Sequence, residues 1–274
     1  MISELSILRR NSIQINESMD FKIPTLAEID ELGETVYNEY LFYFASTNES
    51  FMVQLWDAGY DYETFSNYDI FIRLIGECVD QETGIIGGMA LKALSWWFNL
   101  DPNECQLLYA YNNDSKMNVI VDEYQGFYID KLIYDQISHL VKMVNGVSNV
   151  PKYNFASRAT KEYTIAQEKR TLERELRRQK ARTKGFIKVS TLTDLATSLV
   201  SSTSYTYEKI WDMTIYQAHD LLKKVGQRDH YKANIIGIYT GNIDPKKQKL
   251  DLNWIQNIRK SDATSSNVIE TSGK

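Results

Sequence analysis

From Leu26 to Phe44 the apolar residues fall at Leu26, Ile29, Leu32, Val36, Tyr37, Tyr40, Leu41 and Phe44. This three- and four-residue spacing turns one face of an α-helix toward a core. The same period returns at Tyr68, Phe71, Leu74, Ile75 and Cys78, at Leu132, Ile133, Ile137, Leu140, Val141 and Val144, and at Ile215, Ala218, Leu221, Leu222 and Val225. Only 13 glycines and 4 prolines interrupt 274 residues, which favours long helices over a many-turned all-β fold.

Local chemistry marks the helix ends. Thr25 and Glu28 have the spacing of a capping box, in which each side chain satisfies an orphan backbone N–H. Further helices are predicted over Ser50–Ala58, ended by Gly59, over Asn67–Val79, and over Met89–Phe98, whose Trp96-Trp97-Phe98 reads as core. Gly84, Gly87 and Gly88 read as a flexible joint. Asp130 is placed to cap a helix that Asn145-Gly146 ends. After a linker containing Pro151, a basic helix runs from Arg158 until Gly185. Short helices follow over Ser190–Leu199 and from Thr206 to Trp211. Thr214 opens one that Gly226 ends, and a last helix through Tyr231–Tyr239 stops at Gly241. The period falls to two at Ile13 and Ile15, a short strand, and across Leu107–Tyr111 and Val119–Val121, a β-hairpin around a seven-residue loop, Asn112–Asn118.

The predicted class is α+β and mainly helical. An N-terminal domain with a β-hairpin occupies 1–150, and a linker with the basic helical connector occupies 151–189. A small all-α C-terminal domain spans 190–260, with Trp211, Ile215, Tyr216 and Trp254 as its expected core, and 261–274 is a flexible polar tail. Residues 1–150 carry enough apolar surface to fold alone.

Charge is segregated. Residues 158–184 carry ten Lys/Arg against four Glu, a net +6, leaving −11 on the rest of a chain whose total is −5. Such asymmetry marks an interaction segment. Within the basic helix the apolar stripe Ile165, Leu172 and Leu176 is thin, and Arg170/Arg174 and Arg174/Arg178 repel at i,i+4 while Glu173 and Arg177 can pair. The helix therefore calls for an anionic or protein partner. Nucleic-acid contact is the weaker alternative, because Tyr163 is the only stacking aromatic in the run and four glutamates oppose phosphate.

Motifs that carry chemistry do not emerge. The sequence has no phosphate loop, no Gly-x-Ser-x-Gly elbow, no His-Glu-x-x-His and no EF-hand loop. His139, His219 and His230 are scattered; Asp135 and His139 share a helix face without further ligands nearby. Two cysteines, Cys78 and Cys105, read as buried thiols and are too few for a four-cysteine zinc site. No enzyme, metal or cofactor is predicted. No apolar run nears the roughly 20 residues that span a bilayer, and Met1–Arg10 lacks a signal-peptide core.

Three segments resemble the tail assembly chaperones and related tail-morphogenesis proteins of phages of low-GC Gram-positive bacteria. They are Phe21-Lys22-Ile23-Pro24-Thr25-Leu26-Ala27-Glu28-Ile29, then Trp211-Asp212-Met213-Thr214-Ile215-Tyr216-Gln217, and last Leu250-Asp251-Leu252-Asn253-Trp254-Ile255. The abundance of Asn, Ile, Lys and Tyr suits such an AT-rich source. The resemblance implies a non-catalytic protein of the host cytoplasm that binds the tape-measure protein and tail-tube subunits, with self-association and a shorter frameshift product as further possibilities. Arg170, Arg174, Arg177, Arg178 and Trp254 are the candidate partner-binding residues. The rivals are a structural virion protein of the tail, neck or baseplate, and a nucleic-acid-binding regulator.

Overall fold

A computed structural model describes residues 4–9, 11–122, 126–147, 153–182 and 191–243. It is α+β and mainly helical, as the sequence predicts: among the described residues, 11 helices accompany two small antiparallel sheets. The N-terminal part runs α1 (Glu4–Arg9), β1 (Ser12–Asn16), β2 (Met19–Lys22), α2 (Leu26–Leu32), α3 (Glu34–Ala45), α4 (Met52–Asp57), α5 (Asn67–Gly76) and α6 (Gly88–Phe98). It continues through β3 (Leu108–Asn112), β4 (Met117–Asp122), β5 (Phe127–Ile129) and α7 (Lys131–Val144). Then come α8 (Arg158–Arg182), α9 (Thr191–Ser202), α10 (Tyr207–Trp211) and α11 (Ile215–Tyr239).

The alternation at Ile13 forms a two-stranded ribbon in which Ile13 faces Phe21 across β1 and β2. The hairpin pairs Leu108 with Val121 and extends through β5, where Ile120 faces Ile129. Both strands run further than predicted, so the loop shrinks to residues 113–116. Asn112 drives this, because its side-chain oxygen accepts from the backbone N–H of Asp114 and Ser115 and so turns the chain early. The glycines of 84–88 do not form a loose joint. Gly84 accepts from Tyr109 N–H at 2.9 Å, and Ile86 donates to Leu107 at 2.8 Å, which adds this stretch to the edge of β3.

Two helix boundaries also differ from expectation. The Leu26–Phe44 period breaks at Gly33, whose φ of +88° no other residue type adopts without strain. Gly226 ends nothing, and α11 passes straight through it. Gly226 lacks the left-handed φ of a helix stop, and just beyond it Arg228 ties the helix back by donating to the Ser202 carbonyl at 3.1 Å. The left-handed stop comes at Gly241, as predicted.

Trp97 is fully buried at the centre. Its ring stacks on Phe21 at 5.2 Å, and its indole N–H donates to the Tyr40 carbonyl at 3.2 Å. Phe44, Phe71 and Tyr134 continue the aromatic layer, with Phe71 and Tyr134 at 4.6 Å. The same continuous cluster takes in Leu192, Leu195, Leu199, Ile210, Ile215 and Tyr216. Ile215 and Tyr216 are therefore core, Trp211 is half-buried against it, and Trp254 lies outside the described residues. The polar tail, 261–274, lies outside them as well.

Backbone pairing joins the two ends of this cluster. Thr25 and Thr214 form an antiparallel bridge. Leu26 N–H donates to Met213 at 2.9 Å and Ile215 N–H to Pro24 at 2.9 Å. Each threonine also caps its own helix through a full capping box, with Glu28 on α2 and with Gln217 on α11. A fragment of residues 1–150 keeps the Trp97 layer but loses the cover over Leu26 and Ile7. It should unfold cooperatively at a lower denaturant midpoint than the whole chain. A melt without a transition would show that α9–α11 complete the core.

Candidate partner-binding arm

α8 is about 37 Å long at 1.5 Å per residue, and its two halves differ. The first half is docked. Ile165 is buried in a satellite cluster with Met52, Val53, Leu55, Tyr62 and Ile70, and the stacked pair Tyr153 and Phe155 packs against it. Tyr153 donates its hydroxyl to Glu168.

Lys161 fastens this half. Its side chain is only 8% exposed, and its ammonium lies 2.5 Å from Asp61 and 2.8 Å from Glu63. The ammonium also sits over the Tyr62 ring, 4.8 Å from the centroid. Burial alone would lower the Lys161 pKa, but the two carboxylates outweigh it and the net shift is upward. Asp61 moves the other way, held below its usual range chiefly by the hydrogen bond from Lys161. A second ion pair, Lys169 to Asp57 at 2.7 Å, closes the docked half.

Beyond Lys169 the helix leaves the body. Residues 170–177 are all exposed, and Leu176 shows 55% of its surface. Arg170, Arg174 and Arg177 make no ion pair among the described residues, so the Glu173–Arg177 spacing goes unused. At about 3.6 residues per turn, positions 170, 174, 177 and 178 share an arc of about 100°, opposite Ile165, Leu172 and Leu176. The face that buries Ile165 thus points the arginines away from the body. Three of the four candidate arginines are shown together on one projecting face. The side chain of Arg178, like the whole of Trp254, lies outside the described residues. The Lys161 clasp has no local sequence signal, since its partners are about 100 residues away.

The histidines gather no site. His139 and His230 are exposed, His219 is half-buried, and Asp135 pairs with Lys131 at 3.0 Å. Among the described residues no three His, Cys, Asp or Glu side chains assemble to hold a metal, and no helix is long and apolar enough to cross a membrane. Cys105 is buried and Cys78 half-buried, both as free thiols.

The geometry defines a helical body with a cationic helix half docked and half free. Residues 180–259 match the model of the YomV second domain, a phage-associated family, so the match relates under a third of the chain to a phage protein. It takes in α9 to α11 and begins where the arm ends. No curated protein and no solved structure matches the chain.

Replacing Lys161 with Met should cost about 1–2 kcal/mol, because Asp61 and Glu63 stay partly solvated and the pair is worth less than a fully buried one. Amide exchange over 158–169 should accelerate. The stability gap between wild type and variant should persist across neutral pH. It should shrink as pH falls from 3.8 through the depressed Asp61 value, and again as pH rises from 10.5 through the raised Lys161 value. A gap that grows in acid would show that the clasp does not hold the helix.

Proposed function

We propose that this phage-related protein is a non-catalytic tail assembly factor that uses the projecting half of α8 to bind acidic surfaces of the tape-measure protein and tube subunits in the host cytoplasm. The observation that carries this reading is the arginine face at 170, 174 and 177, turned away from an acidic body and without an ion-pair partner among the described residues. Two further observations support it. The phage-associated match abuts the arm, and two of the three segments resembling tail assembly proteins meet at the Thr25–Thr214 bridge.

The chemistry is non-covalent. Arginine offers a planar fork of donors suited to carboxylates, and a cationic arm on an acidic body orients a partner during encounter. Covering the exposed Leu172 and Leu176 adds about 25 cal/mol per Å² of apolar area removed from water. Glu173 and Glu175 on the same segment suit a protein surface better than a phosphate backbone.

Changing Arg170, Arg174, Arg177 and Arg178 together to Gln should weaken association with the cognate tape-measure protein by about tenfold or more while leaving the thermal transition in place. Unchanged association would overturn the reading. Tight, sequence-selective DNA or RNA binding at physiological salt, lost in the same variant, would replace it with the regulator. Stoichiometric copies in purified particles would replace it with the structural virion protein.

A further inference from the structure

Away from α8, helices α3 and α5 and the start of α6 enclose an open groove of about 520 Å³. Phe42, Tyr43, Leu74 and Met89 give it an apolar lining, and Glu39 on α3 and Glu77, just past the end of α5, stand along it. Phe42 is 45% exposed and Met89 37%, so two large apolar side chains outside the core open into one place. Isolated exposed apolar residues are ordinary on a protein surface, whereas here two of them share one groove with a glutamate on either side.

Both carboxylates are exposed and form no ion pair among the described residues. Their field reaches the groove. The Tyr43 hydroxyl, which contacts the Cys78 sulfur at 3.9 Å, has its pKa raised by burial first, then by Cys78, and further by Glu77 and Glu39. Burial resists a charge of either sign there, and the smaller contribution of Glu77 and Glu39 has the sign that suits a cation along the exposed rim. The helical walls offer no strand edge to an extended peptide, and they favour a helix laid along the groove between them.

We infer that this groove is a second docking site and that it takes a cationic amphipathic helix of a partner protein, with an apolar face on Phe42 and Met89 and lysines or arginines beside Glu39 and Glu77. The arm of a second copy is a poor occupant. At helical spacing Glu173 and Glu175 flank its leucine stripe and would meet Glu39 and Glu77. The groove lies on different elements from the arginine face, so each surface is tested without the other.

The test uses the full chain and a fluorescent helical peptide with leucines on one face and lysines on the others. A peptide of the same composition in scrambled order serves as control. Anisotropy should show binding of the amphipathic peptide, weakened by about tenfold or more in Phe42→Glu and in the double variant Glu39→Lys/Glu77→Lys. Both variants alter exposed side chains, and their thermal transitions report whether they fold. The quadruple arginine variant should bind the peptide at least as well as wild type. Saturating peptide should also slow maleimide labelling of Cys78. Equal binding of the scrambled peptide would reduce the effect to bulk charge and overturn the proposal, as would binding that survives in Phe42→Glu. A wild-type dimer that Phe42→Glu converts to monomer, with no peptide bound, would assign the groove to a second copy and overturn it too.

Discussion

Two threonines 189 positions apart hold this molecule together in a way that neither helix could alone. The first turn of any helix leaves backbone N–H groups without partners. At Thr25 and Thr214 the structure satisfies different donors in two ways: the capping boxes take the N–H of Glu28 and Gln217, and backbone hydrogen bonds across the bridge take that of Leu26 and Ile215. The α11 start is buried and the α2 start half-buried, and Thr214 is among the few buried polar residues of the described chain. An uncapped helix start in that position would leave donors unsatisfied away from water, at a cost of about 1–3 kcal/mol for each. The bridge thereby fixes where α2 and α11 begin, and with them the faces that meet α1, α10 and the aromatic layer.

That constraint accounts for one continuous cluster, where the sequence predicts an N-terminal and a C-terminal core. Leu26 and Ile215 each follow their threonine and enter the same apolar cluster. α11 then packs on α1 and α7, α10 on α2, and α9 against α10 and α11. α8 stands apart from this arrangement. Its docked half rests on a separate small cluster under α4, fastened by charge more than by apolar area. The large core and the docked half of the arm thus rest on separate clusters, and residues 170–177 lie exposed beyond them.

Local features were legible in the sequence, and those that depend on distant partners were not. Thr25-x-x-Glu28, Asp130 and Thr214 declare helix starts because the capping chemistry is complete within four residues. Gly33 and Gly226 look alike in sequence but differ in outcome. At Gly33 the chain must turn to bring α3 onto α6 and α7, and only a positive φ does so. At Gly226 the φ is not left-handed, and the helix continues despite the roughly 1 kcal/mol that glycine costs, with Arg228 bonded to the Ser202 carbonyl. β5 is three residues long and exists because β4 offers it an edge, so no periodicity announces it. The arginine face could be read from spacing alone, whereas the Lys161 clasp and the groove required the tertiary fold.

The helical phase of α8 ties its two roles together. Placing Ile165 in the satellite cluster sets the rotation of the whole helix, and positions 170, 174 and 177 then lie on the far side. This separation matters because the rest of the chain carries −11. Lys161 and Lys169, on or near the docked face, are paired with Asp61, Glu63 and Asp57. Had the arginines shared that face, the acidic body would have taken them up in the same way and left little positive charge to meet a partner. Rotation of the arm by a single residue, roughly 100°, would be enough to bring some of them round. One residue of the thin apolar stripe, the buried Ile165, is therefore sufficient for docking. It needs only to set the phase of the helix, and the ion pairs supply the hold.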